Sequence, residues 1–272
     1  MPVTLDVALR SETGPHRSGN QDSVGASVDY ALVADGVGGN VGGDIASWTF
    51  THRVMSTLAT RPARTFTAEN IAELIATANA EIGHRIRREP ELEGMATTVT
   101  ALFCGEDSVR VGHLGDSRAY LVRDGVGYRV TRDDSYVQML VDSGAVDPAD
   151  ARTHPLRNVI LRSLSGRSED TTDLPVMEVP VQSGDRWLVT SDGLTDYVEE
   201  ERIIGILTAT PDREDAADAL LAAALAADSR DNISLVVADV ALDTGETQGA
   251  RPYRFLGAAA GDDLGAVVDL SR

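Results

Sequence analysis

The chain is nearly without cysteine. Among its 272 residues there is one, Cys104, so no internal disulfide can form. It lies in the apolar run 99–104 and reads as a buried small hydrophobe. Aromatics are scarce, at 4%, so Val, Ile, Leu and Ala must fill the core. Positive charge is short as well: 24 Lys and Arg face 43 Asp and Glu, for a formal net charge of −19. That balance argues against non-specific binding to nucleic acid or anionic lipid, which carry the same sign. It suits a solvated acidic surface. Long hydrophobic runs are missing too. The longest, 219–227, falls far short of the ~20 residues that cross a bilayer. The opening MPVTLDVALR lacks a basic segment followed by an apolar stretch, so no signal peptide is expected. With the lone cysteine, this points to a reducing cytoplasm.

The pattern alternates over residues 3–9, and a short apolar run at 30–34 stops at Asp35-Gly36. Both read as strands. Glycines then cluster at 36, 38, 39, 42 and 43, before a helix expected over 44–60. Thr67 stands as an N-cap, with Asn70 three residues on. Ile71, Leu74, Ile75, Ala78 and Ile82 follow at helical spacing. Residues 97–103 and 109–114 read as adjacent strands. Residues 119–123 and 128–130 flank the turn Asp124-Gly125 and read as a hairpin. A short helix at 135–142 ends at Ser143-Gly144. The polar stretch 145–167, with Pro148 and Pro155, reads as a mobile insertion.

Further strands are expected at 176–179, 187–190 and 233–240, with helices at 201–207 and from Thr210-Pro211 to 227. In the latter, proline takes the first helical position, and Asp212, Glu214 and Asp215 oppose the positive end of the dipole. Runs of strands, paired helices and hairpins favour an α+β domain with mixed or antiparallel sheets over a doubly wound parallel sheet. That domain spans 1–241. The tail, 242–272, is rich in Gly, Ala and Asp and is broken by the run from Pro252 to Leu256. Most of it reads as disordered or loosely docked.

The informative feature is a set of aspartates, each beside Gly, Asn or Ser and most of them at a strand end. They are Asp22 in RSGNQDS, Asp35 in VADGVGG, Asp116 in HLGDSRAY, Asp192 in LVTSDGLTDY and Asp231 in SRDNISLVV. Any one alone reads as a capped turn, since Asp-Gly is mainly a turn signal. Several acidic turns closing apolar strands are harder to dismiss. Strand ends can converge, and converging carboxylates repel unless cations sit between them. Carboxylates, a backbone carbonyl and water are hard oxygen donors, suited to Mg²⁺ or Mn²⁺ over Zn²⁺. None of the five histidines has ligand-like spacing. Two such cations ~4 Å apart lower the pKa of a bridging water and polarise a phosphoryl oxygen, as phosphate-ester hydrolysis requires. An acidic chain that handles phosphate also needs local positive charge. Arg17 offers a guanidinium fork that matches two phosphate oxygens, although alone it reads more readily as a surface residue of a polar loop.

Taken in order, RSGNQDS, VADGVGG, MATTVTALF, HLGDSRAYLVRDG, TRDDSYVQMLVDSG, HPLRNVILRSLSG, SDGLTDYV and SRDNISLVV resemble the motifs of the metal-dependent protein phosphatases, also called the 2C type. The resemblance covers residues 3–240, and the short linking segments look most like the bacterial branch. It implies a four-layer α-β-β-α sandwich, with two mostly antiparallel central sheets and helices on both outer faces. It implies two Mn²⁺ or Mg²⁺ ions and a third, weaker site. Asp35 would bridge both metals and Gly36 would offer its carbonyl oxygen. Asp192 and Asp231 would hold one of the pair, and Asp116 with Asp192 would hold the third. Arg17, Asp22 and Asp35 form the implied catalytic set, with Arg17 on the substrate phosphate and Asp22 in the outer shell, orienting water. Residues 135–167 would be a flap that shapes substrate access.

The implied activity is hydrolysis of phosphoserine and phosphothreonine in proteins by direct attack of a metal-activated water. The chain would act as a monomer in the cytoplasm, opposing eukaryotic-like Ser/Thr kinases, with neither nucleic acid nor membrane as partner. It departs from the family pattern in places. Asn40 and Asp44 stand where the glycine-rich turn usually continues with His and Glu. His113 replaces an Asn and reads as a hydrogen-bonded structural residue. Val37 stands where some members carry a candidate general-acid His, so leaving-group protonation would fall to water at the metal. The competing reading is a weak or inactive relative that acts as a binding or scaffold protein. Against it, Arg17, Asp35, Gly36, Asp192 and Asp231 are all present, whereas a non-catalytic copy is free to lose one. Within the family, the absence of an added sensor domain favours general substrates over a single dedicated partner. An unrelated two-metal nuclease is disfavoured by the acidic charge and the lack of a basic patch.

Overall fold

The computed structural model describes residues 2–37, 42–242 and 253–261. In chain order the elements are β1 (Val3–Glu12), β2 (Ser23–Ser27), β3 (Tyr30–Ala34), β4 (Gly36–Val37), α1 (Gly43–Thr60), α2 (Ala68–Arg88), β5 (Ala96–Thr97), β6 (Val99–Cys104), β7 (Ser108–Leu114), β8 (Arg118–Arg123) and β9 (Val126–Arg129). They continue with α3 (Tyr136–Asp142), β10 (Val176–Pro180), β11 (Arg186–Thr190), α4 (Asp192–Thr195), α5 (Glu200–Ala209), α6 (Arg213–Ala226), β12 (Ile233–Leu242) and β13 (Arg254–Gly257).

Successive side chains of a strand point to opposite faces, and here each face meets a different core. Tyr30, Leu32 and Ala34 of β3 pack with Phe50, Ile71 and Ile75 of α1 and α2. Their neighbours Ala31 and Val33 face Trp187, Val189 and Val236 of the other sheet. On that sheet Leu188, Leu235 and Val237 turn outward onto Leu207 and Leu220 of α5 and α6. The result is an α-β-β-α sandwich. One antiparallel sheet has the order β1-β12-β11-β8-β9 and the other β10-β7-β6-β3-β2-β13, as the sequence reading expected. Cys104 is buried between the two.

Local chemistry fixes most boundaries. The capping box at α2 forms, with Thr67 Oγ1 accepting from the Asn70 N–H and Asn70 Oδ1 accepting from the Thr67 N–H. Asp124 and Gly125 both take positive φ, which is the conformation a two-residue hairpin turn needs. One expectation is corrected. Pro211 is not the first residue of α6. Asp212 caps that helix, its carboxylate accepting from the N–H groups of Glu214 and Asp215, so the helix begins at Arg213. Strand β2, unremarked in the sequence, is fully buried. Its Gly25 lets α1 approach, since a Cβ there would stand 2.7 Å from Met55 Sδ.

The sandwich also extends past residue 241. Within the tail, β13 pairs antiparallel with β2. Residues 243–252 and 262–272 of the tail, with Gly38, Gly39 and Asn40, lie outside the described residues.

Candidate metal centre

Five strand boundaries deliver the acidic side chains to one edge of the sandwich. Asp35 links β3 to β4, and Asp116 lies in the turn from β7 to β8. Asp192 opens α4 just after β11, Asp22 directly precedes β2, and Asp231 lies just before β12. The glycines beside two of them do more than turn the chain. A Cβ on Gly36 would lie 2.4 Å from the Gly43 carbonyl oxygen and 2.6 Å from that of Gln21. A Cβ on Gly193 would lie 1.9 Å from the carbonyl oxygen of Asn232. Only glycine permits these backbones to cross, and the crossing sets Asp192 beside the Asp231 segment.

One carboxylate oxygen each from Asp35, Asp116 and Asp192 lie within 4.8 Å of one another. Asp116 is buried, while Asp35 and Asp192 are half-buried. Burial, and then the charges of Asp22, Asp192, Asp116 and Asp231, hold the Asp35 carboxyl well above the usual carboxylate range. Burial followed by Asp116, Asp196 and Asp231 does the same to Asp192. Asp116 is pushed up to about 7 by burial and by Asp133 and Asp196. Buried polar atoms are normally paired. Here Asp116 Oδ1, Asp192 Oδ1 and Thr195 Oγ1 are buried with no hydrogen-bond partner among the described residues.

Asp22 stands behind this trio, 1% exposed. It accepts a hydrogen bond from Ser191 Oγ at 2.8 Å. Burial raises its pKa to about 6, partly offset by the hydrogen bonds of Ser191 and Ser234. Asp231 is not in the trio. Its Oδ2 accepts from Arg17 Nη2 at 2.6 Å and its Oδ1 from the Asn232 N–H at 2.8 Å. Arg17 Nε also donates to the Arg230 carbonyl. The loop that carries Arg17 is held by Asn232, whose Nδ2 donates to the carbonyls of Thr13 and Gly19 and whose Oδ1 accepts from the Gln21 N–H.

Asn232 and Ser191 carry no signal of their own in the sequence, although both lie inside the motifs SRDNISLVV and LVTSDGLTDY. His113 is buried. Its Nδ1 meets Thr100 Oγ1 at 2.9 Å and its Nε2 meets the Arg132 carbonyl at 3.0 Å. Burial, the largest influence, lowers its pKa. Asp44 sits in the first turn of α1, and Val37 pairs with Ala96 in β4.

A cavity of about 660 Å³ opens beside Asp116 and Thr195. Its other wall belongs to the expected flap. Arg157 Nε lies 3.3 Å from Asp196 Oδ2, and Arg152 pairs with Glu199. The flap's ends are tied into the body by paired backbone bonds between Leu164 and Thr97 and by the Asp134 N–H donating to Gly115, next to Asp116. Another cavity, of about 430 Å³, surrounds Arg186 and Asp239 at the opposite end of β11, away from the aspartates. The donor set at the edge fits a divalent cation of the Mg²⁺ or Mn²⁺ class. It consists of hard oxygens, some of them orphaned, under strong mutual repulsion.

Comparison with known proteins gives a consistent picture. The family model described as "Protein phosphatase 2C" matches residues 16–227. The chain is 38% identical over 265 residues to the serine/threonine protein phosphatase PstP of Mycobacterium tuberculosis, which covers 96% of this chain but only 49% of that protein. It therefore spans about half the length of that relative. It is 32% identical to the serine/threonine phosphatase stp of Listeria innocua, over 86% of this chain and 96% of the relative. Among solved structures, the catalytic domain of PstP in complex with two manganese ions superposes with a TM-score of 0.81 at 34% identity. That match covers 88% of this chain and 100% of the other.

Proposed function

Because the chain belongs to the protein phosphatase 2C family, we propose that it hydrolyses phosphoserine and phosphothreonine in proteins with divalent cations held by its clustered aspartates. The observation that carries this reading is the convergence of Asp35, Asp116 and Asp192 within 4.8 Å. Asp35, the Gly36 carbonyl, Asp192 and Asp231 would hold a pair of Mn²⁺ or Mg²⁺ ions, and Asp116 with Asp192 a third, weaker one. When bound, such ions supply Lewis-acid charge and ready a water for attack on phosphorus.

The chain's own groups do the rest. Arg17 carries five N–H donors. Nε and one N–H on Nη2 are committed to Arg230 and Asp231, which orients the guanidinium and leaves donors for two phosphate oxygens. Asp22, gripped by Ser191, would act in the outer shell and orient water. The flap segment 135–167 walls the approach to the phosphoester.

Phosphorylated proteins are the substrate class, and a bacterial Ser/Thr kinase is among the partners we propose. The proposed setting is a monomer in the cytoplasm. Support comes from relatives named as bacterial serine/threonine phosphatases and from the single cysteine. No helix of the described residues is long and apolar enough to cross a membrane.

The test is direct. Purified protein with Mn²⁺ hydrolyses p-nitrophenyl phosphate and a phosphothreonine peptide, and chelator abolishes both activities. Asp192→Ala stays folded and loses most turnover. A folded wild-type protein without metal-dependent turnover would favour the scaffold reading.

A further inference from the structure

Residues 253–261 return to the sandwich and end against the metal centre. Gly257 of β13 sits opposite Ser23 of β2, and Ser23 sits opposite Ala34 of β3. These three residues therefore lie abreast, one position away from Asp22 and Asp35. The Ala258 N–H donates to the Asp22 carbonyl at 2.7 Å. The approach is so close that a Cβ on Gly257 would stand 2.2 Å from that oxygen, and Gly257 takes a φ of +66°. Asp22 is thus fixed at both ends, its carboxylate by Ser191 and its backbone by the tail segment.

The segment is gripped by α1. The His52 ring lies between Trp48 and Phe255, with centroid separations of 4.1 and 4.6 Å. Trp48 Nε1 donates to the Gly261 carbonyl at 3.2 Å, and His52 Nε2 donates to the Ala259 carbonyl at 2.9 Å. Ala258 and Ala259 are buried. An edge strand needs cover, but cover alone does not call for a hydrogen bond to the backbone of Asp22.

We propose that residues 253–261 are a positioning strap for the metal centre. By pairing with β2 they fix the backbone of Asp22, and with it the carboxylate presented toward Asp35. Release of the strap weakens cation binding and turnover. The inference rests on the phosphatase reading for its catalytic half and on the aspartate cluster alone for its binding half.

Two full-length variants test it. Gly257→Val drives a side chain into the Asp22 carbonyl, and Phe255→Ala removes the outer ring of the stack. Phe255→Tyr keeps the ring. Trp48 caps the stack while the other tryptophan, Trp187, is fully buried, so a red shift in Trp emission reports strap release. Mn²⁺ affinity is read by electron paramagnetic resonance without turnover, and kcat and KM are read on p-nitrophenyl phosphate.

The expected result for the two releasing variants is a red shift, about tenfold weaker Mn²⁺ binding and a comparable fall in kcat at unchanged KM. That is the scale on which an outer-shell partner acts. Phe255→Tyr should match the wild type. Strap release with unchanged Mn²⁺ affinity and kcat overturns the inference, leaving the strap an edge cover. Unshifted emission in both variants also overturns it, as does failure of both to fold, because a positioning strap must be separable from the fold. A wild-type protein that binds Mn²⁺ in a strap-dependent way but hydrolyses nothing would sink the phosphatase reading and leave the positioning role standing.

Discussion

The hydroxyl of Ser191 donates to the carboxylate of Asp22 at 2.8 Å across a sequence separation of 169 residues. The same oxygen accepts from the Ser234 N–H at 3.1 Å. One small side chain thus joins the residue before Asp192, the strand after Asp231 and the acid behind Asp35.

Ser191→Ala removes that junction. Asp22 is 1% exposed, so a buried oxygen loses its donor at a cost of about 1–3 kcal/mol. The melting temperature should drop by about 2–4 °C for each kcal/mol. The lost bond favours the charged carboxylate, so the Asp22 pKa should climb further above about 6 and the acid limb of the pH–rate profile should move to higher pH. A differential melt and a pH profile of p-nitrophenyl phosphate hydrolysis check the two effects separately.

Asp116 offers a test through stability. Burial and then Asp133 and Asp196 push its pKa up to about 7, well above the usual carboxylate range, so the folded chain binds this proton more tightly than the unfolded chain. Its contribution to stability is fully present below about 4 and is lost as pH rises through about 7. Asp116→Asn removes the penalty of the charged form. In chelator, the variant should melt with the wild type near pH 4 and above it near pH 8, on the scale of about 1.4 kcal/mol for each pKa unit. Equal melting at both pH values would contradict the burial argument.

Asn232 should act through Arg17. Its side chain makes hydrogen bonds to the backbone of Thr13, Gly19 and Gln21, and Asn232→Ala frees that loop. Stability should fall by about 1–3 kcal/mol. KM for a phosphothreonine peptide should rise more than kcat falls, because the group disturbed is the proposed phosphate binder. Steady-state kinetics on the peptide separates the two parameters.

His113→Gln distinguishes a structural histidine from a proton donor. Both ring nitrogens are already engaged, by Thr100 and by the Arg132 carbonyl. The expected outcome is a loss of about 1–3 kcal/mol in stability with an unchanged shape of the pH–rate profile. Loss of one limb of that profile would return His113 to the chemistry.

Much of this architecture is legible in the sequence because strand chemistry is local. Tyr30–Ala34 announces itself by apolar β-formers and an Asp-Gly stop, and α2 by Thr67, Asn70 and a row of aliphatics. Strand β2 is not legible. SVGAS carries little apolar weight, and its place in the sheet depends on α1 reaching Gly25. The start of α6 is ambiguous in the sequence because Pro211 and Asp212 each suit a helix entrance, and only the hydrogen bonds to Glu214 and Asp215 decide which caps it. The aspartates stand out as a repeated pattern of an acid beside Gly, Asn or Ser, mostly at a strand end. Ser191, Ser234 and Asn232 do not, because a serine or asparagine has no distinct chemistry until its partners are known. Those partners lie in distant parts of the chain. The strap was hidden for the same reason, since nothing in PYRFLGAAA names Asp22 as its neighbour. Asp231 is a further difference, for the structure pairs it with Arg17 and groups Asp116 with Asp35 and Asp192.

Anomalous diffraction from crystals of the full chain grown with Mn²⁺ puts the cation question most directly. The account predicts manganese peaks bounded by the carboxylates of Asp35 and Asp192 and the carbonyl of Gly36, with Arg17 at their side. Manganese found only elsewhere on the acidic surface, with these carboxylates bare, would contradict it.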